Sequence, residues 1–344
     1  MIARSLCAAA LLLAAPVVAQ GGGVVQSMEG KPMLGIRHVA ITVSDIDRTI
    51  AFYSKAVPYR VVSRSRVKAS SFGRELAGDR EGEVDVALVA MPTMWIQLMD
   101  FTPGKPDAPN PRPVIGPGYT HICFQSPSGA SAETRFRAAG LEMVSRGDEP
   151  VDIGGYGVRY SYGRDPDGIM IENEVLDSPR RSEPAWVTHV ANVVHDRDQM
   201  VDFYERVLAT PAHRRIEQEN RPKLDAIAGI DGLSIKGGWF RVGNMELEIW
   251  QYARPQTPPP GTPRRLDEIG YNSFAFEVED LEAATARLRS LKVPLVGPVV
   301  RIDGWVMQHA RDPEGNLFAL VANGGGNPAL SVRRLLPTPP PPGG

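Results

Sequence analysis

The sequence is poor in cysteine: it has two, Cys7 and Cys123, in 344 residues. A disulfide framework is therefore excluded, even for a chain bound for an oxidising compartment. An excess of charge is also missing, since 38 Lys and Arg stand against 40 Asp and Glu for a net charge of −2. No block of Lys or Arg occurs either, so a nucleic-acid partner is not expected. Long apolar runs are absent apart from Leu6 to Val18, which is too short to span a bilayer. That stretch reads as the h-region of a secretory signal. Arg4 supplies the positive start, and Val17-Val18-Ala19 supplies small residues before a cleavage point at Gln20. The expectation is that residues 1–19 are removed and the protein is periplasmic or secreted, with no membrane contact after cleavage. Cys7 would leave with the signal, so Cys123 would be the one remaining thiol. Residues 336–344 form a Pro/Gly-rich tail, expected to be disordered or polyproline-like.

What is present is a repeat. Ile36–Val43 alternates as a strand, with His38 on one face, and Ser44 and Asp45 offer caps for a helix carrying Ile46, Ile50 and Tyr53. Three candidate strands follow, near 59–67, 84–91 and 94–101, giving a β-α-β-β-β unit, module A. After a proline-rich stretch the opening strand returns at Tyr119–Gln125 with His121, and a helix ends at Gly140; module B runs over 119–176. Module C opens at Trp186–Val194 with His189, and its Phe203-Tyr204 follows His189 by the same 14 residues that separate Phe52-Tyr53 from His38. A second proline-rich stretch leads to module D, opening at Tyr271–Val278. A resembles C and B resembles D, so one pair of modules has been duplicated. The expected domains are 36–176 and 186–322.

The phrase Arg164-Asp165-Pro166-Asp167-Gly168 is a tight turn before the strand Ile169–Val175, and Arg311-Asp312-Pro313-Glu314-Gly315 writes it again. Glu172 lies inside the first of these strands, where a carboxylate is costly unless paired. Ala319 takes its place in the second. Gln97 follows His38 by 59 residues, and Glu248 follows His189 by the same 59. Modules A and B together offer His38, Gln97, His121 and Glu172; C and D offer His189, Glu248, Ser273 and Ala319.

With its His-x-Ala/Cys opening strands, helical Phe-Tyr pairs and Asp-Pro-Asp/Glu-Gly turns, the chain resembles the vicinal oxygen chelate superfamily. That group includes glyoxalase I, bleomycin-resistance proteins, methylmalonyl-CoA epimerase and extradiol dioxygenases. The resemblance covers roughly 36–322 and implies an α+β fold. Four βαβββ modules would form two cupped mixed-sheet barrels with helices outside. It also implies one divalent metal ion, Mn, Co, Ni, Zn or Fe, held by residues of the first and last strands of two modules. With adjacent modules paired, the ligands fall on His38, Gln97, His121 and Glu172. Glu172 would double as the catalytic base, and His189 and Glu248 would mark a degenerate second site. Cys123, Tyr160 and Tyr162 are candidates for the substrate cavity. Exchanged pairing, B against C, would instead gather His121, Glu172, His189 and Glu248. Adjacent pairing is the expectation, because consecutive elements are usually neighbours in space.

The function so implied is a metal-dependent isomerase, epimerase or lyase acting on a small oxygen-chelating metabolite through a metal-stabilised enolate. The alternatives are an Fe(II) extradiol dioxygenase and a binding protein that sequesters a small molecule without turnover. The partner expected is a small-molecule substrate, and the chain would be a monomer or a homodimer.

Overall fold

Each module begins on a strand with no solvent-facing side: β1 (Gly35–Thr42), β5 (Gly118–Pro127), β10 (Trp186–Val193) and β14 (Gly270–Glu277) are buried almost throughout. Such strands are covered on both sides, by helices on one face and by the contents of a cup on the other. A computed structural model describes residue 28, residues 30–102 and residues 111–338. The expected signal segment 1–19 and tail residues 339–344 lie outside the described residues.

Module A continues with α1 (Ile46–Tyr53), β2 (Arg60–Lys68), a short α2 (Arg74–Ala77), β3 (Glu83–Ala90) and β4 (Trp95–Asp100). Module B adds α3 (Ala132–Ala139), the two-residue strands β6 (Glu142–Met143) and β7 (Val151–Asp152), β8 (Val158–Arg164) and β9 (Met170–Leu176). Module C adds α4 (Arg197–Leu208), β11 (Arg214–Glu219), α5 (Pro222–Ala228), β12 (Ser234–Val242) and β13 (Met245–Arg254). Module D closes the set with α6 (Leu281–Ser290), β15 (Leu295–Ile302), β16 (Trp305–Arg311) and β17 (Leu317–Asn323). The helices start where a side-chain oxygen can take a free backbone N–H. Asp45, Ser131, Asp196 and Asp280 are the caps, and α3 stops at Gly140 in the left-handed conformation, φ 100°.

The fold is mixed α+β with two curled mixed sheets. Strand order is β15-β16-β17-β14-β1-β4-β3-β2 in one and β11-β12-β13-β10-β5-β9-β8-β6 in the other. β1 runs antiparallel to β14, and β5 antiparallel to β10. The expectation of adjacent pairing is therefore overturned: A shares a cup with D, and B shares a cup with C. The physical reason lies in the helices. Phe52 and Tyr53 of α1 pack on Phe124 and Phe136 of module B, and Tyr204 of α4 packs on Phe274 and Phe318 of module D. Modules A and B, and likewise C and D, are thus neighbours through their helix-covered convex faces, which leaves the edges of their first strands free to pair with a module of the other half.

The A–D cup is filled. Phe72 and Leu76, from the turn 69–72 and α2, are buried among Ala40, Met99, Ala275, Met307, Ala319 and Val321. Two glycines admit this plug. A Cβ on Gly297 (φ 65°) would lie 2.7 Å from Leu76, and one on Gly73 (φ 72°) would lie 2.8 Å from Pro298. In the B–C cup the corresponding α5 sits to one side, with Leu224 and Ile227 packed near Tyr162 and Tyr252. A cavity of about 280 Å³ remains beside it.

The tail departs from its expectation over its first three residues. The Leu336 amide donates to the Pro92 carbonyl at 3.0 Å, and the Thr338 amide to the Asn244 carbonyl at 2.7 Å. Among the described residues, no helix is long and apolar enough to cross a membrane.

Candidate functional site

Four strands bring four side chains together on the floor of the B–C cup. His121 comes from β5, Glu172 from β9, His189 from β10 and Glu248 from β13. The register makes this possible: Ala191, between β5 and β13, lies opposite His121 on one side and Glu248 on the other, while Cys123 lies opposite Glu172. Residues on one face of these strands then point into one volume. One ligand atom from each of the four lies within 4.8 Å of every other.

The distances are short. His189 Nε2 is 2.8 Å from Glu172 Oε2 and 3.3 Å from Glu248 Oε2. His121 Nε2 is 3.4 Å and 3.7 Å from the same two oxygens. All four residues are buried, yet neither Nε2 makes a hydrogen bond of acceptable geometry. The opposite ring nitrogens are held. Thr120 Oγ1 lies 3.0 Å from His121 Nδ1, and Thr188 Oγ1 lies 3.3 Å from His189 Nδ1. Anchoring Nδ1 fixes the ring and aims the other nitrogen inward, which is how metal-ligating imidazoles are arranged.

The electrostatics express the same crowding. Burial pulls the His189 imidazole down, but Glu248 and Glu172 outweigh it and push it up to about 10. His121 is raised by Glu172 and Glu248 against burial in the same way. Burial would raise Glu172, yet His121 and His189 hold it well below the usual carboxylate range. Two carboxylates and two imidazoles gathered around one point fit a divalent cation, which would satisfy all four at once.

The predicted residues divide cleanly. His121 and Glu172 are in the cluster; His38 and Gln97 are not. They lie in the A–D sheet, where His38 pairs with Ala275 and Gln97 with Ala40. His38 Nδ1 is 3.1 Å from an Arg37 guanidinium nitrogen, and burial together with Arg37 drives its pKa well below the usual value. The Gln97 amide contacts Met99 Sδ at 3.5 Å. The structure does not bring the expected set His38, Gln97, His121 and Glu172 together; the four side chains it gathers are His121, Glu172, His189 and Glu248, so the two residues expected to mark a degenerate site stand in the same cluster. Ser273 and Ala319 share the plugged cup with His38.

Cys123 is fully buried, with Sγ within 4.8 Å of ligand atoms of Glu172, Glu174 and His189. Tyr160 and Tyr162 line the cavity. Sequence reasoning did not single out its other walls, Tyr156, Glu174, Arg214, Trp239 and Trp250. The Arg214 guanidinium stacks 3.9 Å from the Trp239 ring centre. Burial, then Glu172, pushes the Glu174 carboxyl up to about 7. The signal that would have found the cup is the dipeptide Thr-His, written at Thr120-His121 and Thr188-His189 but as Arg37-His38 in module A.

A family model described as the glyoxalase/bleomycin resistance protein/dioxygenase superfamily matches residues 35–173 and 186–320. A lactoylglutathione lyase of Arabidopsis thaliana is 23% identical over 195 residues, which cover 57% of this chain and 60% of that protein. The chain thus spans less than two thirds of that relative's length. Among solved structures, glyoxalase I from Zea mays aligns with a TM-score of 0.57 and 18% identity, over 87% of this chain and 95% of the other. A likeness at that identity is one of fold.

Proposed function

Because the chain belongs to the glyoxalase/bleomycin resistance protein/dioxygenase superfamily, we propose that it is a divalent-metal-dependent enzyme of the isomerase or lyase kind. Its substrate on this reading is a small metabolite with neighbouring oxygen atoms. One observation carries the proposal: two imidazole Nε2 atoms without hydrogen bonds and two buried carboxylates converge from four strands on the floor of an open cavity. The lyase name of the plant relative supports the same class.

His121, Glu172, His189 and Glu248 would hold the ion, which when bound supplies Lewis-acid stabilisation of charge on a substrate oxygen. The protein's part is to bury the four side chains and aim them at one point. On this reading Glu172 would also serve as the base that takes a proton from a substrate carbon. Export to the periplasm or beyond, from the character of residues 1–19, belongs to the same proposal.

The test is metal content, measured on purified protein and on two variants. His189→Ala should lose the ion, and His38→Ala should keep one ion per chain. Retention in the first and loss in the second would overturn the assignment. Oxygen uptake with added catechol and iron in the site would move the reading to a dioxygenase.

A further inference from the structure

Two carboxylates that line the cavity, Glu174 and Glu246, stand outside the cluster of four. Glu174 lies two residues beyond Glu172 on the same strand and the same face, and it lines the cavity. Its Oε2 accepts a hydrogen bond from Gln125 Nε2 at 2.7 Å. Gln125 cannot turn over, because its Oε1 accepts from the buried Trp186 indole N–H at 2.8 Å. The relay from Trp186 to Gln125 to Glu174 thus fixes which group donates and leaves the rest of the carboxylate to the cavity.

The duplicated modules provide an internal control. The position two residues beyond the cluster residue or its counterpart is Met99 in A, Trp250 in C and Val321 in D. The fold is content with an apolar side chain there, so Glu174 is not required by strand packing. Nor is it paired for stability: among the described residues no lysine or arginine bridges to it. Glu246, at the rim, is paired with His213 at 2.9 Å and Arg241 at 3.0 Å. The cavity that Glu174 lines has Tyr156, Tyr160, Tyr162, Trp239 and Trp250 in its walls, and the one arginine there, Arg214, is stacked on Trp239 at 3.9 Å. A volume of about 280 Å³ takes one substituted ring, since a cavity of about 150 Å³ already holds benzene.

We propose that Glu174 is the specificity-determining group of this site. It accepts a hydrogen bond from a hydroxyl or ammonium donor on a compact aromatic substrate and turns away molecules with an anionic substituent. This rests on the metal reading above, with two neighbouring oxygens of the substrate directed at the His121–Glu172–His189–Glu248 cluster. A half-buried carboxylate with no lysine or arginine bridged to it attracts a donor or a cation and repels an anion, and the aromatic walls favour a flat or cationic partner.

The experiment uses the full-length protein and three probes sharing a vicinal dihydroxy ring: catechol, its neutral parent form; dopamine, with an ammonium arm; and 3,4-dihydroxybenzoate, with a carboxylate. Binding is followed by quenching of tryptophan fluorescence, with metal content measured on every sample. The expected order is dopamine and catechol ahead of 3,4-dihydroxybenzoate by about tenfold or more. Glu174→Gln should shrink that gap by about tenfold at unchanged metal content. Equal binding of all three probes by the wild type, no binding of any, or an undiminished gap in Glu174→Gln would overturn the inference. The wild-type order decides it alone if the variant does not fold. Absence of metal from the wild type would instead sink the proposed function, so the two failures are distinct.

Discussion

The Tyr53 hydroxyl donates to Asp165 Oδ2 at 3.0 Å, joining the first helix of module A to the Asp-Pro-Asp-Gly turn of module B. The other carboxylate oxygen of Asp165 accepts the backbone amides of Asp167 and Ile169, each at 2.9 Å. Asp167 in turn accepts from the Ser44 amide at 3.0 Å and hydroxyl at 2.6 Å, and from Arg48. The second half of the chain repeats the latch. Tyr204 lies 3.5 Å from Asp312, and Glu314 accepts from the His195 amide at 2.9 Å. The helical Phe-Tyr and the acidic turn are therefore two ends of one contact between consecutive modules. A duplicated pair can stay latched on its convex side while its sheets pair elsewhere.

Removing the hydroxyl tests the latch. Tyr53→Phe keeps the ring in its aromatic cluster but withdraws a donor from a buried carboxylate, at a cost of about 1–3 kcal/mol. Urea unfolding should show the loss, and metal content should not change. An unaltered midpoint would mean the turn is held by Asp167 alone.

The turn carboxyls also set a pH dependence. Burial raises both Asp165 and Asp312 from 3.8 to about 7, against the pull of their backbone and side-chain donors. A raised folded value means that the folded state holds its proton more tightly than the unfolded chain does. The resulting stability is complete below about pH 4 and is lost as pH rises towards about 7, at no more than about 1.4 kcal/mol per pH unit for each group. The gap between wild type and Asp165→Asn should narrow across that window. A gap that stays constant from about pH 5 to about pH 7 would show the carboxyl to be ionised in the folded state across that range.

Much of the fold was legible. The opening strands, their helices and the closing strands fall within a residue or two of where alternation, caps and turn residues put them, because those signals are local. Half of the candidate cluster was legible too, since His121 and Glu172 stand out as polar groups in apolar strands. His38 and Gln97 were misplaced because sequence periodicity records which face a side chain takes and not which strand lies alongside. The choice between β1–β4 closing on β5 or on β14 is made by contacts more than two hundred residues apart. The residues did carry a clue. The exchanged set balances two imidazoles with two carboxylates, each ring preceded by a threonine, whereas His38 is preceded by Arg37, whose charge opposes a cation.

Export has its own check. If residues 1–19 are a cleaved signal, amino-terminal sequencing of protein recovered from the cell envelope should begin at or near Gln20. Intact Met1 on protein from the cytoplasm would refute it.

The two cups should respond oppositely to substitution, since one is packed and the other open. Leu76 is fully buried in the A–D cup, against Gly297 and among the apolar side chains around Ala319. Leu76→Ala leaves a void there and should cost about 2–5 kcal/mol of stability. Its metal content should equal that of wild type, because no atom of the B–C cluster touches the plug. Glu172→Gln is the converse. It preserves volume in a cup that is already open but removes a charge facing both His121 and His189. Metal should be lost, and with it any turnover, while the fold persists by circular dichroism. Both variants are read for metal by elemental analysis and for stability by urea unfolding. If Leu76→Ala lost the ion while Glu172→Gln kept it, the chemistry would lie in the cup that module A shares with module D.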